Sequence, residues 1–141
     1  MEPNPVIIAA TAKQTASLIF LHGLGDTGHG WANTIAAIRG PHVKVICPTA
    51  ATMPVTLNAG FRMPSWFDLR TLDATAPEDE EGILRATEHV HRLIANEIKV
   101  QCTITMAGII NYYKKANTKM LTQLAFSLIG YCWVDFLKEA R

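Results

Sequence analysis

The amino-acid sequence predicts an α/β fold over its first hundred residues, built on a mostly parallel sheet with flanking helices. Three short apolar runs, at residues 6–10, Ala16–Leu21 and Val43–Cys47, are rich in branched or aromatic residues, as buried strands are. A helical pattern at residues 31–38 separates the second run from the third. Strand, helix and strand with short connections form a crossover unit, so we expect the second and third strands to lie parallel and close together.

The helix between these strands is predicted by the spacing of its apolar residues. Trp31, Ile35 and Ile38 fall on one helical face, and Gly40-Pro41 ends the pattern. We therefore expect that face to pack against the sheet.

The third strand is followed by residues 53–76, which show no sustained period and contain Pro54, Gly60 and Pro64. This predicts a long irregular excursion, and ordered loops of such length tend to be functional. A long helix comes next, because Thr75-Ala-Pro-Glu78 has the pattern of a capping box and is followed by acidic residues. The residues that recur at helical spacing after it are Ile83, Thr87, Val90, Ile94 and Ile98.

The charge pattern argues against two classes of partner. The formal net charge is +1 without a basic run, so there is no electrostatic case for binding nucleic acid. Residues 120–137 are the most apolar stretch, but they contain Gln123 and Asp135. Since a charge near the bilayer centre costs at least ~2.5 kcal/mol, we expect no transmembrane span.

The cysteines are odd in number, far apart, and match no metal or redox spacing: Cys47, Cys102 and Cys132. We therefore expect reduced thiols in a cytoplasmic protein, with no metal and no cofactor.

One turn carries a chemical signal. The strand Ala16–Leu21 runs directly into His22-Gly-Leu-Gly and then into a helix, and α/β-hydrolases build half of their oxyanion hole at such a turn. The chemistry requires a backbone N–H that is free to point at developing negative charge, and glycines let the chain turn tightly against the substrate. A tight strand-to-helix connection without a ligand is the alternative.

Over about its first 100 residues the chain resembles the acyl-protein thioesterases. The shared motifs, in the same order and with the same gaps, are His22-Gly-Leu-Gly-Asp-Thr-Gly-His-Gly-Trp31, Ile46-Cys-Pro48, Pro54-Val-Thr-Leu-Asn58, Met63-Pro-Ser-Trp-Phe-Asp68 and Glu78-Asp79-Glu80. The resemblance implies an α/β-hydrolase fold and a family that removes palmitoyl groups from protein cysteines, many of whose members also hydrolyse lysophospholipids. Acylated proteins or lysophospholipids are the implied partners. One departure is Thr49-Ala50-Ala51, where the family usually has His-Ala-Pro.

The resemblance also implies site residues. Leu24 matches the residue whose backbone N–H forms half of the oxyanion hole. Leu69 and Leu72 match positions near the apolar channel that receives the acyl chain. Trp66 and Phe67 are expected to pack the core beneath that loop, with ligand contact as the alternative.

The catalytic residues of the family are not found. The family places Gly-x-Ser-x-Gly after the next strand and its catalytic Asp and His later, whereas Ser17, Ser65 and Ser127 lack the flanking glycines. No cysteine has a turn signal of its own. We expect a plain surface or capping role for each histidine, namely His22, His29, His42, His89 and His91.

We therefore expect residues 1–100 to form the N-terminal part of an incomplete α/β-hydrolase domain, and residues 101–141 to form an unrelated tail. Apolar residues recur at helical spacing over residues 121–136, which predicts that the tail is helical. The predicted family is acyl-protein thioesterase or carboxylesterase, with this chain cut off before its catalytic residues and inactive. The alternatives are a non-catalytic acyl-binding or regulatory fragment and an unstable truncated product.

Overall fold

The computed structural model describes residues 3–73 and 75–98 in full and residues 103–108 as backbone. In chain order, its elements are β1 (Val6–Ile8), β2 (Ala16–Leu21), α1 (Gly28–Ile38), β3 (Val43–Cys47), β4 (Thr52–Val55), β5 (Phe61–Pro64), α2 (Glu80–Ile98) and β6 (Thr103–Gly108). The helical stripe predicted at residues 121–136 lies outside the described residues.

Four of the strands form one sheet in the order β1-β3-β2-β6. β2 is parallel to β3, with Leu18 opposite Val45, and β1 is antiparallel to β3, with Ile7 opposite Ile46. The prediction that the second and third strands are parallel neighbours is confirmed, and so is the mostly parallel sheet.

β6 lies on the far side of the boundary that the sequence predicts at residue 100. It pairs in parallel with β2 along its whole length, from Thr103 opposite Ala16 to Gly108 opposite Leu21. β6 therefore continues the sheet formed by the preceding residues. The remaining residues of the tail predicted at 101–141 lie outside the described residues.

Successive apolar side chains of β2 and β3 point to opposite faces of the sheet, and both faces are buried. The cluster on the α2 face consists of Ile19, Leu21, Ile46, Val55, Phe67, Leu69, Ile83, Val90 and Ile94. The cluster on the α1 face consists of Phe20, Ala32, Ile35, Val45 and Cys47. The two helices thus cover opposite faces.

α1 ends at Ile38 as predicted, but its start and the packing of its last residue differ from the prediction. It begins at Gly28 and not at residue 31, because Thr27 caps it: the Thr27 hydroxyl accepts from the Gly30 N–H at 3.3 Å. The expectation that Ile38 packs on the sheet is wrong, since Ile38 is 76% exposed. The buried residues of the helix are Gly28, Ala32 and Ile35, and the next repeat of that face falls at residue 39.

The segment at residues 53–76 is more regular than predicted. β4 and β5 form an antiparallel hairpin, with Val55 opposite Phe61. Its turn uses left-handed backbone at Ala59 (φ 52°) and Gly60 (φ 79°). Because one left-handed position is held by alanine, the sequence lacks the glycine or asparagine pair that normally signals a hairpin, and the prediction of an irregular excursion is wrong here.

The start of α2 is also capped differently from the prediction. Asp79 precedes the helix, and its Oδ1 accepts from the Gly82 N–H at 3.1 Å while its Oδ2 accepts from the Asp68 N–H at 2.8 Å. The Thr75 hydroxyl donates instead to Asp73 at 2.8 Å, so the predicted capping box is wrong. A carboxylate directly before the helix satisfies its N–H groups and also suits its positive end.

A buried polar network fastens the end of α2 to the sheet. The Glu97 carboxylate accepts from Ser17 Oγ at 2.6 Å, Lys44 Nζ at 2.7 Å and Gln14 Nε2 at 3.4 Å. Ser17 and Lys44 lie near the amino-terminal ends of β2 and β3, so we call these four residues the amino-end network. Burial raises the pKa of Glu97, but the hydrogen bonds from Lys44 and Ser17 and the charge of Lys44 outweigh it, and the pKa lies below its ordinary value.

This network also explains an error at the end of α2. The sequence predicts Ile98 on the buried stripe, but Ile98 is 43% exposed and Glu97 is 5% exposed. Glu97 follows Ile94 by three residues and Val90 by seven, which keeps it on the packed face of the helix. A charge can occupy that position because Lys44 and Ser17 satisfy it.

Candidate functional site

Residues 22–25, which we call the His22 turn, follow β2 directly at the carboxyl end of the sheet. The segment after β3 lies beside the turn, because the Ala50 N–H donates to His22 Nε2 at 3.0 Å. Gly108, the last residue of β6, is opposite Leu21. Open α/β sheets bind their ligands at the carboxyl ends of the strands, so the turn is in the position expected of a site.

Hydrogen bonds to two successive carbonyl groups fix the start of the His22 turn. The His22 carbonyl accepts from the Trp66 indole N–H at 2.9 Å. The Gly23 carbonyl accepts from the Asp26 N–H at 3.2 Å and lies 2.7 Å from His22 Nδ1. Both peptide groups around Gly23 are therefore held from their oxygen side.

Leu24 lies at the centre of the turn, with a half-buried side chain that packs against the cluster on the α2 face. The next amide, that of Gly25, donates to the Pro64 carbonyl at 2.9 Å, and Gly25 takes a left-handed φ of 76° that favours glycine. Within the described residues, no acceptor is paired with the Leu24 N–H. The turn thus presents this amide as a donor at the carboxyl edge of the sheet.

His22 is a buried part of the turn and not a surface residue. Only 2% of it is exposed, and its ring lies against Trp66 with centroids 5.1 Å apart. Burial lowers the pKa of His22 below its ordinary value, although the Gly23 carbonyl and the Asp26 charge act in the opposite direction. The surface or capping role predicted for His22 is wrong, because its ring nitrogens serve backbone groups of two loops.

The other histidines divide by position. His89 is 9% exposed on the packed face of α2, with its ring 6.1 Å from Trp66, so a surface role is wrong for it too. His29, His42 and His91 are exposed, as predicted.

The residues after the turn form the start of α1. The Asp26 carboxylate accepts from the Thr27 N–H at 2.7 Å and from the Trp31 indole N–H at 2.6 Å. This one side chain therefore connects the turn to the N-cap and the first turn of the helix, which accounts for Asp26, Thr27 and Trp31 in the motif.

Gly28 brings the start of α1 against the end of β3. A Cβ atom at this position would collide with the Cys47 carbonyl oxygen. The Gly28 N–H donates to Thr49 Oγ1 at 2.9 Å in a buried setting. Thr49 therefore supports the helix that follows the His22 turn.

The predicted acyl-channel residues differ in burial. Leu69 is 5% exposed and belongs to the cluster against which Leu24 packs, whereas Leu72 is 55% exposed. Phe67 is buried in the same cluster and Trp66 packs on it, as predicted.

The described candidate nucleophiles all have structural partners or are buried. Ser17 Oγ donates to Glu97, and Ser65 Oγ donates to the Phe67 carbonyl at 2.6 Å. Cys47 is buried, and burial raises the pKa of its thiol, which disfavours the nucleophilic thiolate. The remaining candidates, which lie outside the described residues, are Cys102, Ser127 and Cys132.

Two kinds of feature are missing from the described part of the chain. It contains no group of three or more His, Cys, Asp or Glu residues that could hold a metal ion. Neither of its two α-helices is long and apolar enough to cross a membrane.

The fold and the His22 turn together fit one class of hydrolases, and the chain belongs to the phospholipase/carboxylesterase family, whose model matches residues 2–111. Among its relatives are acyl-protein thioesterase 1 of Neurospora crassa, 44% identical over 103 residues, and that of Yarrowia lipolytica, 47% identical over 103 residues. These matches cover 67% and 69% of this chain but 42% and 45% of the relatives. The resemblance to acyl-protein thioesterases is confirmed.

Solved structures support the same assignment. The crystal structure of Zea mays acyl-protein thioesterase 2 matches 74% of this chain with a TM-score of 0.70 and 33% identity. That of Arabidopsis thaliana SOBER1 matches 69% with a TM-score of 0.61 and 30% identity. The α/β-hydrolase fold is therefore confirmed, and the chain spans less than half the length of each of these proteins (45% and 49%).

Proposed function

We propose that this chain carries the oxyanion side of an acyl-protein thioesterase site, binds the acyl chains of palmitoylated proteins or lysophospholipids in the cytoplasm, and does not hydrolyse them by itself. The observation that carries the proposal is the His22 turn. It is held rigidly at the carboxyl edge of the sheet and presents the Leu24 N–H, for which the described residues supply no acceptor. A fixed backbone donor of this kind stabilises the negative charge that develops on a thioester carbonyl oxygen.

The position at which β6 ends supports the proposal that these 141 residues do not hydrolyse the acyl bond. Gly108 is opposite Leu21, directly before the His22 turn, and hydrolases of this fold place their serine on a sharp turn after such a strand. The sequence continues as Ile109-Ile110-Asn111 and contains no Gly-x-Ser-x-Gly. A serine also needs an adjacent base to act as nucleophile, and both described serines donate their hydroxyl protons to structural acceptors.

Acyl binding is supported by the apolar surroundings of Leu24. Leu69 lies in the cluster on which Leu24 packs, so an acyl group bound there would start next to the proposed oxyanion donor. Leu72 follows three residues later and leaves much of its side chain open to contact. We propose that Leu72 contacts the acyl chain directly and that Leu69 forms the wall behind it.

Labelling with a fluorophosphonate probe tests the proposed lack of turnover, because such a probe reacts only with an activated serine. The purified 141-residue chain should remain unlabelled, while full-length acyl-protein thioesterase 1 of Neurospora crassa is expected to be labelled in parallel. Labelling of this chain that disappears in Ser65→Ala or Ser127→Ala would contradict the proposal.

A fluorescent palmitate analogue tests acyl binding. Burying one leucine contributes about 1.5–3 kcal/mol, so Leu72→Asp should weaken binding at least about tenfold. Leu84→Asp is the matched control, since Leu84 is 50% exposed on α2 and should leave binding unchanged. Equal affinities of the two variants, or no binding by the unmodified chain, would refute the acyl-binding role.

A further inference from the structure

The Gly23 carbonyl and the Leu24 N–H belong to the same peptide group. We propose that His22 is a positioning residue, which orients the Leu24 N–H by holding the carbonyl oxygen of that peptide. This inference rests on the proposed oxyanion role of Leu24, and it assigns to the His22 ring the role of fixing the direction of the Leu24 N–H.

The Leu24 N–H takes its direction from the planar peptide group that it shares with the Gly23 carbonyl. A trans peptide is planar, so its C=O and N–H point in opposite directions and rotate together. The Gly23 oxygen lies 2.7 Å from His22 Nδ1 and 3.2 Å from the Asp26 nitrogen. With two partners on the oxygen, the peptide cannot turn without losing both contacts, and the Leu24 N–H stays directed to the other side.

The contact at Nε2 determines which ring nitrogen of His22 carries the proton. The Ala50 N–H points at His22 Nε2 at 3.0 Å, so Nε2 must offer its lone pair. In the neutral ring the proton is then on Nδ1, where it is donated to the Gly23 oxygen. Burial favours the neutral ring by lowering the pKa of His22.

Trp66 holds the His22 ring in place. Trp66 lies against the imidazole and also donates its indole N–H to the His22 carbonyl at 2.9 Å. Ring and backbone of His22 are thus fixed by one neighbour. Because hydrogen bonds in a chain polarise one another, donation to the Gly23 carbonyl also strengthens the Leu24 N–H as a donor.

Nitrogen NMR on the 141-residue chain tests the assignment without any substitution. Long-range correlations of the imidazole at neutral pH should show a neutral His22 ring protonated on Nδ1. A ring protonated on Nε2, or on both nitrogens, would overturn the proposal.

Two variants separate the two ring nitrogens. In His22→Asn the side-chain amide nitrogen can replace Nδ1, and in His22→Gln it reaches only the region of Nε2. The Leu24 amide nitrogen resonance should keep its position in His22→Asn. It should move upfield in His22→Gln, because the Gly23 carbonyl of the same peptide group then loses a hydrogen-bond donor. Slow hydrogen exchange of Ile19 and Val45 verifies that each variant is folded. An equal displacement of the Leu24 resonance in two folded variants would show a merely structural role.

Palmitate added to the same samples distinguishes this inference from the function on which it rests. If the Leu24 resonance responds to His22→Gln but not to palmitate, the positioning role holds and the proposed function fails. If it responds to palmitate but not to His22→Gln, the acyl site holds and the positioning role of His22 is refuted.

Discussion

The two ends of the central strands are stabilised in different ways. At the amino ends of β2 and β3, the amino-end network joins a carboxylate, an ammonium, a hydroxyl and an amide, and the Glu97 carboxylate accepts from all three of its neighbours. At the carboxyl ends, a neutral imidazole and an indole hold backbone groups of the His22 turn, and the Leu24 N–H has no acceptor among the described residues. At the amino ends the polar side chains bond to one another. At the carboxyl ends the Leu24 N–H remains available to a ligand.

This difference separates stability from function. Because the Glu97 carboxylate is buried and depends on partly buried Lys44 for its opposite charge, removing Glu97 should weaken the whole domain. Because the His22 turn is held by several weaker bonds, changes there should move the turn before they unfold the sheet. The following predictions test that contrast.

Glu97→Ala should have the largest effect. Removing one partner of a buried ion pair typically costs 3–5 kcal/mol, and partial exposure of Lys44 (21%) favours the lower limit, so we expect a loss of about 3 kcal/mol in the free energy of unfolding. Urea denaturation measures this loss. Glu88→Ala, on an exposed position of the same helix, is the control and should change stability by less than about 0.5 kcal/mol. Similar losses in the two variants would remove the basis of the comparison.

Gly28→Ala should have an intermediate effect, because the new methyl group collides with the Cys47 carbonyl at the carboxyl end. Overpacking of this kind typically costs 1–3 kcal/mol, so we expect about 2 kcal/mol. Unlike Glu97→Ala, this substitution should also displace the Leu24 amide resonance, since α1 begins directly after the turn. Asn33→Ala, exposed on α1, should do neither. A stable Gly28→Ala variant with an unmoved Leu24 resonance would contradict the described packing.

Mild acidification, from pH 7 to pH 5, should have the smallest effect, because acid should reach the two ends of the strands at different pH. The pKa of His22 is lowered in the folded chain, so the unfolded chain binds the proton first, and stability falls as pH drops below about 6.5. The groups around the ring are the Asp26 charge, the uncharged Trp66, and His89 beyond it. The lowered pKa of Glu97 delays the loss of the amino-end network to pH below about 4.3.

Urea midpoints measured between pH 7 and pH 5 check this order. His22→Asn should lack the decrease over that range, whereas His91→Asn, at an exposed position, should retain it. A decrease of equal size in His22→Asn would assign the effect to another group.

The sequence predicts the elements whose signal is local and periodic. β2, β3 and α2 follow from apolar runs and helical spacing, and the His22 turn follows from its glycines after a strand. Leu24 could be named as a site residue only through the family resemblance, because a free N–H leaves no mark on a side chain. The β4–β5 hairpin was missed because alanine occupies one of its left-handed positions.

Long-range polar partners were the other omission. Glu97 is 80 residues from Ser17, and His22 is 28 residues from Ala50, so neither bond has a local sequence signal. Glu97 has an indirect sequence signal, because it continues the helical spacing of Val90 and Ile94. A charged residue on an apolar helix face implies a buried partner. His22 offered no comparable clue, since histidine is common both inside proteins and at their surface.

The sequence distances of these contacts also bear on the order in which the domain assembles. The partners of the His22 turn, among them Ala50 and Trp66, lie within 44 residues of it, whereas β6 must bring Thr103 to Ala16. The entropy lost on closing a loop grows with its length, so short-range contacts form before long-range ones. We therefore expect the donor-presenting turn to take shape early, on β2, β3 and the β4–β5 hairpin, and to act as a template beside which β6 later docks.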